Sequence, residues 1–310
     1  MALAQPAQLS RNMRITPLFW ILPSVALLAV FLFYPIFYTT ALSFFDWNGF
    51  TPNAFADFVG LDNFLELPRD RFMRIAAKNT FMFVLAMTTV ELFIAFVLAV
   101  FIFQAEFRGA AWLRGIIFFP SVLSAVVIGI VWRNIVFLRA GLIDTITTTL
   151  GLPAFFPLGD PDLAFPSIIV VGIWQTTGFN LIIFYAGLQS LENEVLESAQ
   201  IDGANFWQLM FRIIAPLLWP LIVVNIILNV IGGVNIFDLV NVMQGPGWMP
   251  MSTTHAADAL ATYMYFNSFG GSVAGGFHKL GYAAAIAVVM MLVSLVFAAF
   301  RQRLRRTIYI

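Results

Sequence analysis

The chain contains no cysteine, which excludes disulfides, thiolate metal sites and cysteine nucleophiles in one step. Histidine is nearly as scarce: His255 and His278 are too few and too far apart to suggest a zinc site. Charge is sparse as well. Only 10% of residues are charged, and the 16 basic and 16 acidic ones cancel, so nothing points to nucleic acid or another polyanionic partner. No Gly-x-x-x-x-Gly-Lys phosphate loop occurs, so the chain cannot hydrolyse ATP by itself. No paired catalytic constellation, repeat, low-complexity tract or linker is visible, and residues 1–310 read as a single transmembrane domain.

What is present is apolar. Hydrophobic residues make up 61% of the chain, 34 of them Phe, and the mean hydropathy is +0.89, more than a water-exposed fold could hide. This is an integral membrane protein. Stretches of about 20 apolar residues, enough to cross ~30 Å of hydrocarbon, recur near 18–44, 80–103, 115–137, 167–188, 213–242 and 281–300. A backbone in lipid must satisfy its own hydrogen bonds, so six transmembrane helices and an all-α fold are expected. Pro23, Pro35 and Pro120 should kink their spans. The first run follows Arg11 and Arg14 but is too long for a signal peptide and lacks a small-residue cleavage site, so it is read as retained.

Lys and Arg near the span ends set the orientation. With the N-terminus inside, nine basic residues are cytoplasmic (Arg11, Arg14, Arg108, Arg114, Arg212, Arg301, Arg303, Arg305 and Arg306) against seven outside. The outside cations from Arg69 to Lys78 are balanced by Asp57, Asp62, Glu66 and Asp70, whereas Arg301 to Arg306 form a dense tail. Both termini are therefore placed in the cytoplasm.

That orientation puts a polar island, Leu191 to Pro220, on the cytoplasmic side between spans four and five. Glu194 to Ile201 reads as a short helix with Val195, Leu196 and Ala199 on its apolar side. Asp202 and Gly203 then turn the chain, with Asp202 as the expected N-cap of a second helix from Ala204. Two uses compete: an amphipathic pair lying in the headgroups, or a docking site for a partner protein. Glu192, Glu194, Glu197 and Asp202 oppose only Arg212, and an acidic face suits an anionic leaflet poorly, which favours docking.

These residues carry a resemblance. Glu197-Ser198-Ala199, Asp202-Gly203-Ala204, Ile213 and Pro216 resemble the EAA signature of bacterial ABC importer permeases. The carbohydrate branch, similar to maltose and glycerol-phosphate permeases, is echoed by Gly60-Leu61-Asp62-Asn63-Phe64, Asn79-Thr80, Gly187-Leu188-Gln189, Phe237-Asp238 and Gly281-Tyr282-Ala283-Ala284-Ala285. Ser198 and Ala215 depart mildly from the pattern, Gln244-Gly245-Pro246-Gly247 only approximates the usual turn, and Phe269 to Phe277 is an unusual insert. The resemblance implies a type I ABC importer permease fold with a core module near 75–300, in a bacterial or archaeal plasma membrane. It implies pairing with a second homologous permease, two cytoplasmic ATP-binding subunits that hold ATP and Mg, and an extracytoplasmic solute-binding protein. No cofactor of its own is implied. The loop 191–212 would be the coupling element: Glu197 would meet a basic group of the ATPase, Gly203 would supply the turn, and Ala199 and Ala204 would keep the backbone near the partner.

Polar and small groups inside apolar spans are expected to face a cavity. Span four offers Gly172, Trp174, Gln175, Thr176, Thr177, Gly178, Phe179 and Asn180, and span five Asn225, Asn229, Gly232, Gly233, Asn235 and Asp238. The resemblance to maltose-type permeases implies sugar contact at Gly172, Thr176, Phe179, Asn229, Gly232 and Gly233, and these with Asn180, Asn235 and Asp238 make the candidate substrate path. Amides and aromatic faces suit sugars, although small and amide residues also mediate helix packing. Glu91, alone in span two, is expected to be hydrogen-bonded inside the bundle or protonated. Trp132-Arg133 reads as an interfacial anchor with a snorkelling arginine, and His255 and His278 as solvated loop residues. Sugar import is the leading reading. Glycerol phosphate would call for a basic pocket, and an ion-coupled transporter for paired carboxylates or inverted repeats; neither is evident.

Overall fold

A computed structural model describes residues 16–105, 109–137, 139–245, 255–270 and 278–308, with side chains within 20–299 of these. Arg11, Arg14, Arg108, Pro246, Gly247 and positions 271–277 of the insert lie outside the described residues, as do the side chains of Arg301 to Arg306. The chain is helical, apart from one antiparallel bridge pairing Phe45 with Phe58 among the described residues. In chain order the helices begin with α1 (Trp20–Leu42), α2 (Asp62–Glu66), α3 (Arg71–Ala105), α4 (Ala110–Val122), α5 (Ala125–Val136) and α6 (Leu142–Thr149). There follow α7 (Pro161–Leu188), α8 (Asn193–Ile201), α9 (Phe206–Leu217), α10 (Trp219–Val234), α11 (Asp238–Gln244), α12 (Leu260–Tyr265) and α13 (Leu280–Ile308).

Four of these, α1, α3, α7 and the Leu280–Ala299 part of α13, are long and apolar enough to cross a membrane. Two bent pairs raise the number to six if each counts as one span: α4 with α5, bent by 93°, and α9 with α10, bent by 79°. Spans three and five are therefore not the continuous helices that hydropathy suggests. In span three, Pro120 removes a backbone donor inside α4, and Ser124 caps α5 by accepting from Val126 N. In span five, Pro216 and Pro220 flank the break at Leu218, where neither can donate an i→i−4 hydrogen bond. This span also ends at Val234 rather than Val242, with α11 a separate helix.

Span two starts earlier than expected, at Arg71. Asp70 caps it by accepting from Phe72 N, and the added turns bury Met73 and Ala76 while leaving Arg71, Arg74 and Lys78 outward. None of the apolar window of α1 is buried within the chain; this span packs chiefly through its second half, against α13.

The segments outside the spans are tied down by amides and hydroxyls. Asn63 Nδ2 donates to Ser43 O (2.9 Å) and Phe45 O (3.1 Å), holding the Gly60–Phe64 segment against the end of α1. Asn79 Nδ2 donates to Ala256 O and Asp258 O, both at 2.9 Å, and Thr80 Oγ1 accepts from Leu260 N. Asp70 Oδ2 accepts from the hydroxyls of Tyr263 and Tyr282, joining α3, α12 and α13. Burial works against charge on Asp70, yet these two hydroxyls and the backbone amides of Phe72 and Met73 hold its carboxyl below the ordinary carboxylate value. His255 corrects its sequence reading. It is 11% exposed, 2.6 Å from Asp258 Oδ2, and packed among Phe72, Tyr263 and Phe266 rather than solvated.

Candidate functional site

The polar island forms a rigid two-helix loop. The apolar side of α8, Leu196 and Ala199, is buried in a core with Ala99, Val100 and Ile102 of α3, Leu181, Phe184 and Leu188 of α7, and Leu209, Met210 and Ile214 of α9. Val195, expected on that side, is 39% exposed. The helix ends in two interlocked backbone bonds: Gly203 N donates to Gln200 O, and Ala204 N to Ala199 O, each 3.0 Å. This is the Schellman arrangement, which needs a left-handed residue after the cap, and Gly203 supplies it at φ 85°. A Cβ placed on Gly203 would meet nothing within 4 Å, so the space beside this turn is open.

Asp202 does not cap the second helix. It ends α8, and Asn205 caps α9: Asn205 Oδ1 accepts from Gln208 N and Gln208 Oε1 accepts from Asn205 N, both at 2.9 Å. This capping box was readable from the Asn-x-x-Gln spacing, which the more conspicuous Asp-Gly pair overshadowed. Glu192, Glu194, Glu197, Ser198 and Asp202 are exposed, Ala204 and Ile213 half-buried, and Pro216 exposed beside the span-five bend. Ser198 Oγ is turned back onto Val195 O. Among the described residues, the ion pairs are His255–Asp258 and Lys279–Glu66, so the loop's four carboxylates have no cationic partner there. Glu197 also lines a groove of about 300 Å³ with Asn193, Leu196, Gln200, Leu209, Phe103 and Gln104. Gln104 Nε2 is buried without an acceptor among the described residues.

The candidate path residues divide. Gly172 packs under the Phe83 ring, with a Cβ position 3.0 Å from it, and Gly233 lies against Val84. Asn180 is 4% exposed and turns inward, where its Nδ2 donates to both carboxylate oxygens of Glu91, at 2.8 and 2.9 Å. Asn229, half-buried, donates from the same kind of nitrogen to Glu91 Oε2 (2.9 Å) and to Met87 O (3.0 Å). Glu91 itself is fully buried, at the end of a widened helical turn, Met87–Glu91, inside α3. The outward set is Phe179, Gly232, Asn235 and Asp238, with Thr176 half-buried. Thr176 Oγ1 and Asn235 Nδ2 bond carbonyls of their own helices, those of Gly172 and Ile231. Arg133 does not snorkel: its guanidinium donates to Val242 O at 2.6 Å, closing the end of α11, while Trp132 packs on Trp174. None of these partnerships was legible, because 89 and 138 residues separate Glu91 from its two amides.

Residues 91–308 match the family described as the binding-protein-dependent transport system inner membrane component. The chain belongs to that family. The probable ABC transporter permease YurN of Bacillus subtilis is 27% identical over 297 residues, covering 95% of this chain and 97% of the relative. The diacetylchitobiose uptake permease NgcF of Streptomyces coelicolor is 30% identical over 286 residues, covering 89% and 78%. A subunit of a bacterial alginate ABC transporter, crystallised with a periplasmic protein carrying an alginate pentasaccharide, superposes with a TM-score of 0.77 at 23% identity over 96% of each chain. The chain thus has the helical ABC importer permease fold.

Proposed function

We propose that this permease imports a sugar, a mono- or oligosaccharide or a polyol, as one of two homologous membrane subunits seated on two cytoplasmic ATPases. Those ATPases would bind ATP and Mg²⁺, and a solute-binding protein would deliver substrate from outside. Both termini would lie in the cytoplasm. The observation that carries the reading is the α8–α9 loop: a capped, core-anchored protrusion whose exposed carboxylates find no partner among the described residues. A charge cluster held this rigidly fits a complementary basic surface better than a lipid leaflet. The sugar assignment is supported by the diacetylchitobiose relative and by the outward Phe179, Asn235 and Asp238, which offer an aromatic face and polar groups.

The loop would act as a lever. Leu196 and Ala199 share a core with α3, α7 and α9, so a push on α8 moves packed helices rather than a slack linker. ATP-driven closure of the ATPase pair would then bias the spans between inward- and outward-facing states, which is coupling between two separate sites. The test is to coexpress this chain with its partner subunits and introduce Glu197→Arg or Gly203→Asp. Each should leave the chain in the membrane while abolishing uptake and reducing the ATPase recovered with it. Normal uptake and recovery in both would overturn the docking reading.

A further inference from the structure

We propose that the segment after α1 folds back along that span and seats Phe55 and Phe58 in the headgroup–acyl boundary of the bilayer, as a membrane anchor outside the spans. The length of α1 gives the depth. Its 23 residues, Trp20–Leu42, measure about 35 Å against ~30 Å of hydrocarbon, so the helix ends just beyond the hydrocarbon edge. From there the chain returns. The Phe55 ring meets Tyr38 edge-on at 5.5 Å, a level about 6 Å back along the helix from Leu42. Phe55 also meets Phe45 at 5.0 Å, Phe45 meets Phe58 at 5.2 Å, and Tyr38 meets Tyr34 at 6.0 Å. One ladder of rings therefore runs from within the span to the loop.

Lipid fits this ladder better than water does. Tyr34, Phe37, Phe55 and Phe58 are exposed, and they continue the face of α1, none of whose apolar window is buried within the chain. Rings at such a level are the usual contacts of a membrane interface. The loop backbone is also closed on itself, as a surface beside lipid requires. Asn48 Oδ1 accepts from Phe50 N and Thr51 N, and Asn53 Oδ1 from Phe55 N. Asp46 N donates to Asp57 O and Val59 N to Phe44 O, both at 2.9 Å, while Trp47 Nε1 donates to Thr51 O. Residues 57 and 58 lie in the extended stretch that pairs Phe58 with Phe45, so the Asp57 carboxylate and the Phe58 ring take opposite sides. Asn63 holds the following segment to the end of α1. Because α1 packs on α13 chiefly through its second half, an anchor here would set the height of a span that the rest of the chain grips lightly.

The chain has no cysteine, so single cysteines can carry a nitroxide label with no background from it. Phe37→Cys, Phe55→Cys, Asp57→Cys and Phe58→Cys are made in the assembled transporter with cysteine-free partner subunits, in nanodiscs of phosphatidylethanolamine and phosphatidylglycerol. Collision of each label with oxygen and with a water-soluble nickel chelate then gives its depth. Labels at 37, 55 and 58 should all lie below the phosphates, in that order of decreasing depth, with position 55 about 5–10 Å in. The label at 57 should meet the chelate freely. A label at 58 as open to the chelate as that at 57 would overturn the anchor. So would labels at 55 and 58 that neither reagent reaches, which would put the ladder against another subunit. Chelate access at 58 that disappears only when a solute-binding protein is added would make the patch that protein's dock instead. Phe55 packs on two rings, so should Phe55→Cys not assemble, the comparison of Phe58→Cys with Asp57→Cys decides, since both of these side chains are exposed.

Discussion

Two groups of polar residues interrupt this apolar chain, and they are built on opposite terms. The α8–α9 loop leaves Glu192, Glu194, Glu197 and Asp202 exposed with no cation beside them among the described residues. The interior knot buries a single carboxylate, Glu91, and surrounds it with donors from two other helices. In water a charge costs little and remains available to a partner. Away from water it must be satisfied within the chain or it destabilises the fold. The loop is thus free to serve association, whereas the knot must first serve folding.

Asn180→Leu should break that contrast most severely. It removes the donor shared by both oxygens of Glu91 and leaves a buried carboxyl short of a partner, a defect of roughly 1–3 kcal/mol. Thermal unfolding of the purified chain in detergent should show the loss, and an unchanged midpoint would mean that the knot carries no stability. A second contrast sets two glycines side by side. A Cβ on Gly178 of α7 would run into the backbone of Ile117 and Phe118 of α4, so Gly178→Ala should cost about 1–3 kcal/mol by forcing two helices apart. Gly203→Ala meets no atoms but strains a left-handed turn, about 1–2 kcal/mol. Its larger effect should fall on ATPase recovery, which Gly178→Ala should alter only in proportion to folded protein.

The same division decides what could be read without coordinates. Hydropathy located the apolar stretches that form the four long helices and the two bent pairs, since such runs are a property of composition over many residues. The loop was legible because its turn is local: Gly203 and the residues it joins are neighbours in the chain. The bends at Ser124 and Leu218 were not, as apolar continuity conceals a change of direction that depends on which backbone donors are missing. Pro120 with Ser124, and Pro216 with Pro220, were the available signs. The partners of Glu91 were beyond reach for a different reason: polarity inside a span demands a partner, but only packing chooses Asn180 and Asn229.

Asp70 lies between the two extremes, at the N-terminal end of α3. Its native carboxyl is held below the ordinary value by the hydroxyls of Tyr263 and Tyr282 and two backbone amides, against the opposing effect of burial. A depressed carboxylate stabilises the fold at pH values above its unfolded pKa, about 3.9, and that contribution vanishes as pH falls through the native value. Thermal midpoints should therefore drop below about pH 4 in the unmodified protein. Asp70→Asn should lower the midpoint at pH 7 and flatten the acid limb; an acid limb unchanged in Asp70→Asn would assign it to other carboxylates.

The smallest structural effect belongs to Glu197→Gln. Glu197 is exposed and makes no ion pair among the described residues, and Gln is a comparable helix former with almost the same shape. The midpoint should stay where it is. Yet if the carboxylate meets a basic surface of an ATPase, losing the charge should weaken recovery of that subunit, and more so at low ionic strength, where an exposed pair is least screened. Raising salt should narrow the difference between the two proteins by weakening the unmodified complex. A difference that persisted unchanged at high salt would mean that position 197 contributes shape or hydrogen bonding rather than charge, and the loop would then resemble the interior knot more closely than its exposure suggests.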